Sequence, residues 1–300
     1  KVILYELVRT WDSPQDKVEL LMDEVVWPNQ PLGRDVAGSK ETINALTLPM
    51  LRESWERQYG PTDAVVSVSG DIEHEEVVAA VGKALGDWAP TVPAPWYPSQ
   101  DNQEAPRLKV ESRKTEETYF CLGVRGLSYL HPDRFNLDLL NVILGEGMSS
   151  RLFLELREKR GLAYEVHSYL SHFTDTGSLT VYAGVAPDHV YEALDAILEE
   201  LRRLREEKVS EEEMTKAKEF TKGRLLLRME DTRSVAGWAG AQELLTQRLL
   251  TVDDVVALVD AVTPQEVQRI ARQLFVTQKL NLAVVGRVRS QGRLLKSLKI

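Results

Sequence analysis

Apolar residues recur along this chain at two spacings, and the spacing predicts where helices and strands lie. Residues 1–25 carry a helical pattern that reopens after Asp12-Ser13-Pro14, because Asp or Ser ahead of Pro favours a first helical turn. Val18, Leu21, Met22 and Val25 then share one helical face. Residues 27–33, with Pro28, Pro31 and Gly33, read as a loop. A helix is predicted over 47–59, capped by Thr47 with Pro49 in its first turn. A β-branched strand is predicted over 64–70. Asp71-Ile72-Glu73-His74 opens a helix running to residue 85, with Val77, Val81 and Leu85 in register. The stretch 89–98 holds Pro90, Pro93, Pro95 and Pro98 and is predicted to be an interdomain linker. Beyond it, strands are expected over 108–112, 118–124, 164–169, 179–185 and 280–286. Helices are expected over 133–144, ended by Gly145-Glu146-Gly147, over 149–159 with serine caps, and over 188–208. Ser210-Glu211-Glu212-Glu213 is a capping box that opens further helix to about residue 274. Strands and helices alternate, so the class is α/β or α+β.

The chain also repeats itself. Thr47-Leu48-Pro49 resembles Thr263-Pro264-Gln265, and Val65 to Gly70 resembles Asn281 to Gly286. The helix caps differ by 216 positions (263 minus 47), and so do the strand-ending glycines (286 minus 70). Upstream, Arg9-Thr10-Trp11-Asp12 matches Arg228-Met229-Glu230-Asp231 at an offset of 219 (228 minus 9). A duplication follows, with residues 1–100 forming part of a first domain and residues 101–300 a second, homologous one. A second copy beginning near residue 105 places the first copy's start at −111 (105 minus 216). The expectation is therefore that the first domain is incomplete, lacking about 110 residues ahead of Lys1.

Composition narrows the function. The 37 Lys and Arg against 46 Asp and Glu leave a net charge of −9, which argues against nucleic acid as a partner. The basic run 287–299 reads as a solvated terminus. A single cysteine, Cys121, rules out an internal disulfide framework and a Cys-rich zinc site. It sits in an apolar stretch and reads as a small buried hydrophobe. A reduced, cytoplasmic setting is expected. No apolar run reaches the length of a membrane helix, and none reads as a signal peptide.

The five histidines are His74, His131, His167, His172 and His189. No two lie four apart, so neither H-E-x-x-H nor H-x-x-E-H occurs. His167 and His172 read as surface or core residues. Two stretches stand out. One is Val2-Ile3-Leu4-Tyr5-Glu6-Leu7 followed by Asp12-Ser13-Pro14. The other runs from Gly145 through Ser149, Ser150, Arg151, Arg157 and Gly161 to Tyr164, then Gly177 to Gly184. Together they resemble the signatures of the pitrilysin/insulinase family of zinc metallopeptidases, the mitochondrial-processing-peptidase-like kind. The resemblance covers essentially the whole chain. It implies two homologous tandem domains, each a mostly antiparallel sheet with helices packed on it. It also implies a zinc-dependent endopeptidase acting on peptides or unfolded protein segments, as a homodimer or as a heterodimer with a related subunit. Glu6 falls at the family's third zinc ligand. Arg157 and Tyr164 fall where the second domain faces the metal and donates to the substrate backbone or its oxyanion. Two positions depart from the pattern: the H-x-x-E-H helix is absent, and Tyr5 stands where the family has a glutamate. The first departure implies that these 300 residues alone lack activity. It also keeps open a different role, a non-catalytic peptidase-like partner or scaffold that completes another chain's active site.

Overall fold

The computed structural model describes residues 2–92 and 95–300. Lys1, and Pro93 and Ala94 inside the predicted linker, lie outside the described residues.

The chain opens with α1 (Val2–Asp12) and α2 (Pro14–Val26). The break between them is chemical. Ser13 is extended, its hydroxyl accepts from the Asp16 amide, and Pro14 starts the new helix. There follow α3 (Lys40–Ala45), α4 (Leu48–Gln58) and α5 (His74–Leu85). The next elements are β1 (Arg107–Ser112), β2 (Thr118–Gly126), α6 (Arg134–Gly145), β3 (Ala163–His172) and β4 (Gly177–Val185). The chain finishes with α7 (Val190–Glu206), α8 (Glu211–Met229), α9 (Thr232–Thr246), α10 (Val252–Ala261), α11 (Pro264–Leu274), β5 (Asn281–Gly286) and α12 (Gln291–Ser297). No helix among the described residues is long and apolar enough to cross a membrane.

The strands form one five-stranded sheet in the order β1-β5-β2-β4-β3. Only β1 and β5 run parallel; the other pairs are antiparallel. The class is mixed α and β with a mostly antiparallel sheet, within the α/β or α+β expected from the alternation of elements. Every residue of β4 and β5 is buried, so the sheet is covered on both faces. On one face lies α2, whose Val18, Leu21, Met22 and Val26 pack with Cys121, Tyr182, Ala283 and Val285. A Cβ on Gly123 would sit 2.5 Å from Met22 Cε, so the glycine lets the helix settle onto β2. By strand alternation Phe120, Leu122, Val181 and Val284 point to the opposite face, where α6 and α11 pack. Cys121 is wholly buried, and burial pushes its thiol well above the ordinary range, as expected of a small core residue.

Contacts group residues 1–40, 98–221 and 258–300 into one unit, and residues 41–97 and 222–257 into another. The first unit holds the sheet and the apolar core. In the second, Gly60 and Gln242 are the buried positions among the described residues.

Three expectations need correction. Residues 64–69 form no strand, although Ala64 is extended. A strand exists by its ladder, and no described residue pairs with this segment, whereas its repeat counterpart β5 lies between β1 and β2. The serines do not cap the helix predicted over 149–159: Ser150 Oγ donates back to the Gly147 carbonyl instead, at 2.7 Å. The basic run 287–299 is not a free solvated tail. It forms α12, with Leu294 and Leu298 buried. Its charges stay in water while its leucines anchor it.

Candidate functional site

The stretch from Gly145 to Tyr164 is built to hold a few side chains still. At the end of α6, a Cβ on Gly145 would lie 2.5 Å from both the amide nitrogen and the hydroxyl of Ser168, so a glycine is needed where β3 passes. Gly147 (φ 90°) and Gly161 (φ 61°) adopt the left-handed region that side chains disfavour. These two glycines make turns, while Gly145 permits a close approach. Ser168 Oγ donates to Asn141 Oδ1 at 2.7 Å, satisfying two polar groups in the core beside that contact. Arg151 holds Glu213 with two bonds, Nε to Oε1 at 2.7 Å and Nη2 to Oε2 at 3.1 Å. Glu213 also accepts from the Ser210 amide at 3.0 Å, so one carboxylate closes the predicted capping box and fastens the motif to α8.

Residues 153–159 then wind as a π-helical turn, in which the Arg160 amide reaches back to the Glu155 carbonyl at 3.2 Å. Leu152 and Leu156 are fully buried and pin this turn to the core. Its charges are distributed unevenly. Glu155 accepts from Lys159 Nζ at 3.0 Å and from Arg160 Nε at 2.8 Å. Those two bonds, Lys159's first, hold its carboxyl below the usual carboxylate range. The acid is thereby engaged by its two other basic neighbours, and Arg157 is left without an ion pair or hydrogen bond to any described residue. An ion pair to Glu158, the ordinary alternative for this arginine, is not made. Instead the guanidinium carbon of Arg157 lies 5.1 Å from the centre of the Phe153 ring and 5.6 Å from that of Tyr164.

Tyr164 reaches this position through a β-bulge. Ala163 pairs with Val185 and Glu165 with Gly184, so Tyr164 is the extra residue between two successive pairs. It leaves the ladder and is 77% exposed. The structure thus brings Arg157 and Tyr164 together, with a tyrosine hydroxyl that has no hydrogen-bond partner among the described residues. Sequence reasoning missed Phe153, the acid Glu155 and the bulge. A Phe-x-x-x-Arg spacing was the one available signal, because residues four apart share a helical face.

Glu6 is exposed on α1 and makes no hydrogen bond or ion pair with another described residue. None links it to Arg157 or Tyr164. His167 and His172, the pair nearest in sequence, are engaged with other groups. His172 meets the Leu127 carbonyl through Nδ1 at 2.8 Å and Asp138 through Nε2 at 3.0 Å. Burial alone would lower its pKa, but Asp138 and the Leu127 carbonyl prevail and raise it. His167 stacks on Tyr182 with ring centres 4.9 Å apart, and burial lowers its pKa. Among the described residues no three His, Cys, Asp or Glu side chains gather where a metal ion could sit. The residues present therefore do not make a zinc site by themselves.

Comparison with known proteins sets this geometry in context. A family model described as the peptidase M16 inactive domain matches residues 45–220, a span that includes Arg157 and Tyr164. An uncharacterised zinc protease of Streptomyces coelicolor is 37% identical over 290 residues, which are 95% of this chain and 63% of the relative. An uncharacterised zinc protease of Bacillus subtilis is 33% identical over 291 residues, 95% of this chain and 69% of the relative. The chain thus spans less than two thirds of the length of the Streptomyces relative. Among solved structures, a protease from Helicobacter pylori superposes with a TM-score of 0.88 at 23% identity, covering 95% of this chain and 70% of the other. A peptidase M16 inactive domain from Pseudomonas fluorescens superposes with a TM-score of 0.84 at 18% identity, covering 96% and 69%. At those identities the structural likeness speaks for the fold.

Proposed function

Since the chain belongs to the M16 peptidase family, the pitrilysin-like zinc peptidases, we propose that it supplies the substrate-contacting part of a zinc endopeptidase acting on peptides or unfolded protein segments. The observation that carries the reading is the exposed pairing of Arg157 and Tyr164. A guanidinium with no counter-ion among the described residues has its donors free for peptide carbonyls. A phenol turned out of the ladder by a bulge has its hydroxyl free for the oxygen that gains charge when a peptide carbonyl is attacked. Both side chains meet an extended segment, which an unfolded substrate offers and a folded one does not.

Zinc belongs to the names of the relatives. For Glu6 the proposal is that its exposed, unpartnered carboxylate serves as one metal ligand in a protein of the relatives' full length. A cytoplasmic setting and assembly as a homodimer, or as a heterodimer with a related subunit, complete the proposal.

The test has two parts. Fluorescence anisotropy measures how this chain binds a dye-labelled unstructured peptide, and a cleavage assay follows the same peptide with a version extended to the relatives' full length. Arg157→Ala is expected to weaken binding by about tenfold, the loss of a charged hydrogen-bond donor. Tyr164→Phe is expected to spare binding and to lower kcat/KM of the extended version by roughly 10²–10³-fold. Wild-type binding by Arg157→Ala together with wild-type cleavage by Tyr164→Phe would sink the reading. A second reading, a non-catalytic peptidase-like partner or scaffold, is favoured by the description of the matching family model as an inactive domain. It predicts peptide binding by the chain and no cleavage by the zinc-supplied extended version until a related subunit is added.

A further inference from the structure

We propose that Phe153 is a positioning residue for Arg157, its ring forming the fixed wall of an aromatic clamp that orders the guanidinium before a peptide arrives. The proposal rests on the reading of Arg157 as a substrate contact. An exposed arginine without a counter-ion samples many rotamers, and a binding partner must bear the cost of ordering it. Here the guanidinium lies near two ring faces. Phe153 is 5.1 Å away and stands four residues earlier in the same π-helical turn, while Tyr164 is 5.6 Å away across the turn to β3. The two rings have different duties. Tyr164 is 77% exposed and carries the hydroxyl assigned to substrate, so its part is taken by the substrate. Phe153 is half-buried, lacks a polar group, and stands next to the buried Leu152 and close to the buried Leu156. Its ring has one thing to offer the cation, the negative face of its π-system. Because Lys159 and Arg160 hold Glu155, that face meets no carboxylate competing for Arg157.

The probe is the same dye-labelled unstructured peptide, with affinities read by anisotropy on the whole chain. Phe153→Leu keeps apolar bulk and removes the ring face, and is expected to weaken binding by about five- to tenfold. Phe153→Tyr keeps the face and is expected to bind within about twofold of the unsubstituted chain. In an Arg157→Ala background, Phe153→Leu should change nothing further, since a positioning residue acts only through the group that it positions. A second readout needs no peptide: the Arg157 Nε–H resonance should shift on Phe153→Leu as the ring current is lost, and stay in place on Phe153→Tyr. Circular dichroism checks folding, and Phe153→Met replaces the leucine variant if that one unfolds. If Phe153→Leu binds as the unsubstituted chain does while Arg157→Ala is weak, the positioning role is overturned and the peptide-contact reading stands. An equal loss on Phe153→Leu in both backgrounds makes Phe153 a packing residue and overturns the proposal. If Arg157→Ala binds at full strength, the peptide-contact reading and the proposal fall together.

Discussion

Individual residues in this chain are constrained by space, by charge and by hydrogen-bond supply. Gly145 is constrained by space. Gly145→Ala would drive a methyl to 2.5 Å from backbone and side-chain atoms of Ser168, and is expected to cost about 1–3 kcal/mol, read as a lower urea midpoint. His172 is constrained by its two partners. The Leu127 carbonyl and the Asp138 carboxylate both accept, so both ring nitrogens serve best as donors, which is the imidazolium form. Its pKa is raised above 6.5 in the folded chain, by Asp138 and Leu127 against the effects of burial and of Arg134. A raised value means that its stabilisation is complete below the unfolded pKa and is lost as pH rises through the folded one. Melting temperatures measured from about pH 5 to about pH 9 should therefore fall less steeply for His172→Leu than for the parent across that upper window. An identical pH slope in both would remove His172 from the list of titrating groups that matter. At this scale the sequence was only half legible. Arg157 and Tyr164 were found by resemblance, and the structure places them in contact. Phe153 was missed because a phenylalanine four residues from an arginine on a helix is usually just packing. The bulge was missed because register is a property of two strands, and one strand's sequence carries only its own half.

Among the elements, caps were the most legible features and strand pairing the least. Thr47 and Thr263, matched by the repeat, have nearly the same backbone, φ −116°, ψ 158° and φ −115°, ψ 158°. Both accept from the amide three residues on, and each opens an 11-residue helix followed by a 3₁₀ turn that starts with Pro61 or Thr277. Ser13 and Asp231 likewise cap the second helix of each matched pair, accepting from Asp16 and Ser234. These agreements follow from local chemistry, which a short stretch of sequence specifies by itself. The same repeat misled over residues 64–70, because a strand needs a neighbour that local sequence cannot supply. The capping box of α8 gives the prediction at this scale. Ser210→Ala removes the hydroxyl that accepts from the Glu213 amide at 3.2 Å and should cost about 0.5–2 kcal/mol. Glu213→Ala should cost more, because it also leaves Arg151 half-buried beside Glu200 without its two-bond partner. Equal losses in thermal denaturation would show that the arginine contact adds nothing to the cap.

For the whole molecule, burial is concentrated in one of the two contact units. The unit of residues 1–40, 98–221 and 258–300 holds every fully buried apolar side chain among the described residues. The other unit is held by few buried groups, so its amides should exchange with solvent well before those of β2, β4 and β5. Hydrogen exchange read by mass spectrometry checks this, and equal protection in both units would contradict it. The division at residue 100 into homologous halves concerns descent rather than contact, and it stands as a proposal. The same uneven burial bears on how the chain behaves in concentrated solution. Residues 64–69 are a valine-rich segment that joins no ladder among the described residues, with Val65, Val66 and Val68 40%, 54% and 47% exposed. Such a segment is a template for another copy of itself. Light scattering is therefore expected to rise with protein concentration and on warming, and Val66→Lys, which puts a charge in the middle of the template, should delay that rise by about an order of magnitude or more. The matched valines of β5 are already paired on both sides, so Val284→Thr there should alter stability and leave the onset of cloudiness tied to the unfolding temperature. Colloidal behaviour thus depends on six residues that a ladder would have silenced.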